Sequence, residues 1–313
     1  MPTESDSSTA PSRYQSIFRD GLFAGKVALV TGGGTGIGRC IAHELAALGA
    51  RVLVAGRRMD PLAATIEEIK ASGGEAFAAM LDIRDEEVVD EVILQAVKEH
   101  GRIDLLVNNA GGQFALPAVM IKPKGWRAVI DTNLNGTWFV SQAVFKRSMA
   151  RHGGSIVSIV ADMWNGFPGM AHTGAARAGV VNLTKTLAIE WAAAGVRVNA
   201  VAPGFILSSG LDSYPKSVAE RAAVVFGSNP TSRPGTESEV SAATCFLLSE
   251  AAAFINGETL KVDGAASLSK AQLIPIPKHD RIKPFHGLHL RQPVREEFAV
   301  YDPTPEDGDG AEE

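Results

Sequence analysis

The stretch that most constrains this chain is a glycine-rich turn between a short apolar strand and an amphipathic helix. Val27-Ala28-Leu29-Val30 runs into Thr31-Gly32-Gly33-Gly34-Thr35-Gly36-Ile37-Gly38, and Ile37, Ile41, Leu45 and Leu48 then recur at helical spacing. Glycines in such a turn let the backbone bend sharply and approach a ligand closely. The free N–H groups at the helix start offer a partial positive charge to a diphosphate. A turn in this strand-to-helix setting opens a βαβ unit, and it points to a dinucleotide as ligand.

The rest of the chain repeats the alternation. Short β-branched runs occur at 52–54, 76–81, 103–107, 156–160, 198–201 and 259–262, and helical stripes lie between them, for example Leu62, Ile66 and Ile69, then Val88, Val92 and Val97. Parallel strands joined by right-handed crossover helices predict a single α/β, Rossmann-type doubly wound domain with a seven-stranded parallel sheet. It is expected over residues 21–267. Residues 1–20, rich in Ser, Thr, Asp and Pro, are expected to form a flexible arm. Residues 206–236 carry Ser, Gly and Pro with little periodicity, the composition of a mobile lid at the strand ends. Residues 268–313 are expected to form an extended tail with a disordered end, since Asp302 to Glu313 hold six acids and no base. Its apolar residues Ile274, Ile276, Phe285, Leu288, Leu290 and Phe298 are candidates for packing along a neighbouring subunit.

Charge and composition exclude several function classes. A net charge of −5 over 313 residues gives no basic face for a nucleic acid or an anionic membrane. No apolar run reaches the roughly 18 residues of a membrane span. The polar start lacks a signal-peptide core, and Gly310-Ala311-Glu312-Glu313 is not a peroxisomal address, so a cytoplasmic location is expected. Cys40 and Cys245 are the only cysteines, and His279, His286 and His289 lack metal-ligand spacing, so no disulfide framework and no metal site are expected.

The second strand decides the type of dinucleotide. An acid there would bond a free ribose 2′-hydroxyl. The chain instead reads Val54-Ala55-Gly56-Arg57-Arg58, and Arg39 stands beside the glycine turn. Guanidinium groups match a 2′-phosphate in charge and geometry, so the expected cofactor is NADP(H). Asp82, followed by Ile83, falls at the carboxyl edge of the third strand and suits an adenine amino group.

Taken together, Thr-Gly-x-x-x-Gly-x-Gly at Thr31 to Gly38, Asn108-Asn109-Ala110-Gly111 after the fourth strand, Asn133 on the next helix and Pro203-Gly204 after the sixth strand resemble the short-chain dehydrogenase/reductase family. The resemblance covers roughly residues 22–266. It implies a homotetramer that moves hydride between a nicotinamide and a small-molecule substrate. It also implies a cofactor-binding set of Thr31, Gly32, Gly34, Thr35, Gly36, Ile37, Gly38, Arg57, Arg58, Asp82, Ile83, Asn109, Ala110, Gly111, Arg177, Pro203, Gly204 and Ile206.

The family's usual active site is Ser, then Tyr-x-x-x-Lys, in which the phenol protonates an alkoxide and the Lys lowers its pKa. Here the corresponding segment is His172-Thr173-Gly174-Ala175-Ala176-Arg177-Ala178-Gly179-Val180. Thr173 stands for the Tyr, Arg177 for the Lys, and Val160 or Ala161 for the Ser. That string, with Asn182-Leu183-Thr184-Lys185 and Gly111-Gly112-Gln113-Phe114, resembles the trans-2-enoyl-CoA reductases and, more distantly, the 2,4-dienoyl-CoA reductases. The resemblance implies NADPH-dependent reduction of a C=C bond in an acyl-CoA thioester. Hydride at Cβ leaves an enolate that hydrogen-bond donors can hold without immediate protonation. The catalytic candidates are Asn133, Asn135, His172, Thr173 and Arg177, with Asp162 as a further proton donor if its pKa is raised. Two alternatives stay open: an alcohol dehydrogenase or ketoreductase using His172 as acid, and a catalytically silent NADP-binding protein.

Overall fold

A computed structural model describes residues 12–213, 216–269 and 277–301. In chain order the strands are β1 (Val27–Thr31), β2 (Arg51–Gly56), β3 (Glu75–Met80), β4 (Leu105–Asn108), β5 (Gly154–Ile159) and β6 (Val196–Pro203), then the two-residue β7 (Ile206–Leu207) and β8 (Gly235–Thr236), and finally β9 (Thr259–Val262). Seven of them form one parallel sheet, as expected, in the order β3-β2-β1-β4-β5-β6-β9, and β7 pairs with β8 apart from it. The register sets Leu29 beside Leu53 of β2 and Leu106 of β4. Alternation along β1 sends Ala28 and Val30 into one apolar layer and Val27 and Leu29 into the other, so the sheet is buried on both faces.

The helices are α1 (Gly36–Ala47), α2 (Met59–Ala71), α3 (Glu86–His100), α4 (Pro123–Ile130), α5 (Gly136–Val144), the single turn α6 (Ala150–His152), α7 (Ala171–Glu190), α8 (Lys216–Phe226) and α9 (Glu237–Leu248). Local chemistry starts several of them. Asp85 accepts from the Val88 N–H at the head of α3, and Thr236 with Glu239 closes a capping box on α9. The helix α1 has neither a side-chain cap nor an acid in its first turn, so its N–H groups stay open toward the sheet edge. The chain reverses direction across the sheet between β1 and β4, and the crevice at their carboxyl ends is where this architecture takes a ligand.

Three expectations need correction. The 206–236 segment is not an unstructured lid: it holds α8, whose stripe Ala219, Ala222, Ala223 and Phe226 lies at helical spacing but is mostly alanine, and so gives little hydrophobic signal. The arm, from Ser12 onward, lies against the core: Tyr14 is buried and the Ser16 hydroxyl donates to Glu44 at 2.7 Å.

The tail, over residues 277–301, straps its own chain, which takes Leu288 and Phe298 out of reach of a neighbour. Leu288 packs with Tyr14 and Cys40, and Phe298 is buried with Ala219 and Phe226. The Gly287 N–H donates to Ser238 Oγ at 2.9 Å, Thr236 Oγ1 donates to Phe285 O at 2.7 Å, and Arg39 donates to Leu290 O at 3.2 Å. Ile274, Ile276 and the acidic end 302–313 lie outside the described residues. No helix among the described residues is long and apolar enough to cross a membrane, and no group there could hold a metal ion.

Candidate active site

The glycine turn is fixed by its neighbours. Thr31 Oγ1 accepts the Asn109 and Ala110 N–H groups at 3.0 Å each, and Asn109 Nδ2 donates to Thr31 O at 3.0 Å and Gly32 O at 3.2 Å, which stitches the ends of β1 and β4 together. A Cβ on Gly38 would fall 2.3 Å from both Asn109 Nδ2 and Gly32 O, one on Gly32 would fall 2.9 Å from Ala110 Cα, and one on Gly34 would fall 3.0 Å from Pro61. At Gly36 (φ +55°) the surroundings are looser. Its nearest neighbours, Ser209 Oγ at 3.5 Å, Glu237 Oε1 at 3.7 Å and Gly210 N at 3.9 Å, belong to the lid and the head of α9. Gly36 is therefore the turn's open face. With the uncapped start of α1 it forms a cradle that fits a diphosphate, while Thr35 and Ile37 flank it.

Arg57 and Arg58 follow β2, both exposed, and Arg57 lies near enough to Asp82 for its charge to help lower that carboxyl. Arg39 does not join them. Its Nε donates to Glu68 at 2.7 Å and its Nη1 to the strap, so its guanidinium is bound into the protein. Asp82 is gripped by Arg84, with contacts of 2.5 to 3.2 Å, and that pairing holds its carboxyl below the usual range. Arg84 was not singled out from the sequence; its signal is the Asp-x-Arg spacing after β3. Ile83 packs against Gly136, where a Cβ would come within 2.7 Å of it. Beyond β6, Asp162 N–H donates to Pro203 O, Gly204 N–H donates to Val262 O, and Ile206 is buried.

At the other end, α7 brings Thr173 and Arg177 onto one helix face, one turn apart and both buried. Arg177 donates to Ile159 O at 2.8 Å, and its Nε is buried with no protein acceptor. Burial pushes its pKa down to about 10, which leaves it a cation at neutral pH. A Cβ on Gly111 would come within 2.5 Å of its Nη2, so the loop after β4 covers it. His172 is fully buried, edge-on to Phe114 with ring centroids 4.4 Å apart. Its Nδ1 lies 2.8 Å from the Thr173 N, the ring also bonds the backbone of Met170, and Nε2 is buried without a protein partner. Burial lowers the pKa of His172, so it is a neutral donor near pH 7 and a poor store of protons.

The two asparagines part company. Asn133 donates to Gly112 O at 2.7 Å and to Val129 O at 2.9 Å, and accepts from Gly112 N–H at 3.2 Å, which fixes the loop over Arg177. Asn135 donates to Asp131 at 2.9 Å, and Asp131 lines a surface cleft with Asp82 and Arg84. Asn135 thus bonds toward the cleft of Asp82 and Arg84 and makes no bond to the Arg177 loop. Ser158 is buried in β5 and receives Asn108 Nδ2 at 3.4 Å, a core contact. Asp162 has its carboxyl pushed up by burial and then by the charge of Asp263. Nearby, Lys261 lies 4.4 Å over the Trp164 ring.

Known proteins resemble this chain over most of its length. The family described as Enoyl-(Acyl carrier protein) reductase matches residues 32–266. A probable 2,4-dienoyl-CoA reductase of Bacillus subtilis is 39% identical over 247 residues, 78% of this chain and 97% of that protein. A 3-oxoacyl-[acyl-carrier-protein] reductase of Synechocystis is 41% identical over 76% of this chain and 96% of its own length. Among solved structures, a citronellol catabolism dehydrogenase of Pseudomonas aeruginosa is 50% identical, with a TM-score of 0.73, and is covered completely by 81% of this chain. With the glycine cradle, the seven-stranded order and these matches, the chain belongs to the short-chain dehydrogenase/reductase family of oxidoreductases.

Proposed function

We propose that this protein reduces the conjugated C=C bond of an acyl-CoA thioester, with NADPH as cofactor. One observation carries the reading. The turn of α7 that would present a phenol and an amine presents Thr173 and Arg177, and the buried donors around it, Arg177 Nε and His172 Nε2, have no acceptor in the protein. A buried donor left unpaired costs about 1–3 kcal/mol. Such groups persist where an oxygen of a bound ligand satisfies them.

Reduction of a ketone leaves an alkoxide that needs a proton on oxygen at once. Hydride addition to an enoyl thioester instead leaves an enolate, whose oxygen is stabilised by fixed donors aimed at it. The bound nicotinamide supplies the hydride. The chain's own residues do the rest: His172 and Thr173 offer donors to the thioester oxygen, Arg177 supplies a permanent positive field and a grip on the nicotinamide ribose, and Asn133 holds the Gly111–Gly112 loop. The later proton reaches Cα from water or from Asp162, whose carboxyl is pushed up by burial. Arg57 and Arg58 support NADPH over NADH, because both arginines stand exposed at the end of β2. The names of the dienoyl-CoA reductases of Bacillus subtilis and Danio rerio support the substrate class.

A substrate panel read by NADPH absorbance tests the proposal. The expected result is turnover of a trans-2-enoyl-CoA or a 2,4-dienoyl-CoA, with kcat/KM on a 3-oxoacyl-CoA at least about a hundredfold lower, the scale of losing one designed transition-state interaction. NADH should support the reaction poorly. Efficient reduction of the 3-oxo thioester, with the unsaturated thioesters untouched, would overturn the reading in favour of a ketoreductase.

A further inference from the structure

The carboxylate of Glu237 has no part in the chemistry above, yet it stands against the open face of the glycine turn. Its Oε1 lies 3.7 Å from where a Cβ on Gly36 would be, and it accepts the backbone N–H of Ser209, the lid residue that touches the same point. It also lines a small cleft walled by the 207–212 stretch, the head of α9 and the strap. The strap lies beyond the stretch that the family match covers, which ends at residue 266.

We propose that Glu237 is a positioning residue that ties the Ser209–Gly210 stretch of the lid to the glycine turn and makes dinucleotide binding proton-linked: its carboxylate takes up a proton when a diphosphate settles beside Gly36. The inference rests on the dinucleotide reading of that turn. A second negative group beside the diphosphate is unfavourable in a partly buried site, and protonating the carboxylate removes the repulsion while leaving an oxygen for the Ser209 N–H. The charged groups facing Glu237 come from every wall. Arg39 on α1 and Arg291 on the strap favour its ionised form, the thiol of Cys40 on α1 lies close enough to be pushed up by its charge, and Asp212, Arg233, His286 and Arg295 line the same cleft. Burial is nevertheless the largest influence, and it pushes the carboxyl up to about 7. The proton is thus exchanged near neutrality.

The sign follows from linkage. Above pH 7 the free protein holds Glu237 ionised, so binding must recruit a proton from solution and weakens as pH rises. The 2′-phosphate of NADP⁺ titrates the other way, because its doubly charged form binds arginines better. Calorimetric titration of the full chain with NADP⁺ between pH 6.5 and 8.5, in two buffers of different ionisation enthalpy, measures both the Kd and the protons taken up. The expected result is a Kd that weakens by about tenfold across the range, with proton uptake on binding. Glu237→Gln, which keeps an acceptor for Ser209, should lose the weakening and the uptake together. A wild-type protein that binds without proton uptake, or a Glu237→Gln protein with the same pH dependence as wild type, overturns the proposal. If Glu237→Gln does not fold, the wild-type proton count decides alone. Absence of NADP⁺ binding at every pH is a different outcome: it would remove the dinucleotide reading itself, and this inference with it.

Discussion

The two ends of the site are built from different materials. At the glycine turn the work falls to the main chain, and the space a side chain would need is already filled: Asn109 and Gly32 O stand where a Cβ on Gly38 would go, and Ala110 where one on Gly32 would go. At α7 the backbone is an ordinary 20-residue helix, and what sets it apart is the pair of buried side chains it displays, Thr173 and Arg177. A backbone-built site tolerates almost no substitution without losing its shape. A side-chain-built site can change its reaction while the fold stands still, which is how a turn suited to a dinucleotide coexists with a reaction end that lacks the phenol and the amine.

The sharpest way to break this contrast is Gly38→Ala, where the largest loss is expected. The added methyl would lie 2.3 Å from the amide that binds Thr31 O and Gly32 O, so the stitch between β1 and β4 must open. Overpacking of this kind costs about 1–3 kcal/mol. Nicotinamide dinucleotide binding, followed by ligand fluorescence, should weaken by more than about a hundredfold, since a 1.4 kcal/mol loss is tenfold and the turn forms the site. Binding within threefold of wild type would show that the turn's shape is not what holds the ligand.

Arg177→Met probes the other end, and its expected signature is inverted. Methionine nearly matches the length of the stem and removes a buried cation. Replacing buried charge with apolar volume is often neutral or stabilising, so the melting temperature should hold or rise. Turnover, by contrast, should fall by about a hundredfold, the usual loss for removing a fixed electrostatic stabiliser. A variant that melts early with its residual activity intact would make Arg177 a structural residue.

What could be read from the sequence divides along the same line. The glycine turn and the seven parallel strands were legible because backbone demands and buried parallel strands leave local marks: glycines at fixed offsets and runs of Val, Leu and Ile. The helix α8 was not, because a stripe of alanines carries little hydrophobic contrast. Arg39 was misread for a different reason. Its neighbours in sequence suggested a phosphate, but its partners are Glu68 and the carbonyl of Leu290, 251 positions away, and no local pattern records them. The strap was misread likewise. Leu288 and Phe298 were visible as apolar residues, and which surface they cover is decided only by the folded chain.

The smallest expected effect separates the two asparagines. Residues two apart on a helix point about 200° apart, so Asn133 and Asn135 cannot both face Arg177. Asn133 satisfies both backbone groups of Gly112, and Asn133→Ala leaves them short of partners in the loop that covers Arg177. Its kcat should fall by roughly tenfold, about 1.4 kcal/mol of barrier. Asn135 makes one bond, to Asp131 on the preceding turn, and both residues are partly exposed. Asn135→Ala should therefore leave kcat within about twofold and stability within about 0.5 kcal/mol, the usual range for a surface change. The reverse result, an Asn135 variant crippled and an Asn133 variant active, would move the reacting end to the side of Asp131 and Arg84, and the division between a backbone-built and a side-chain-built end would have to be redrawn.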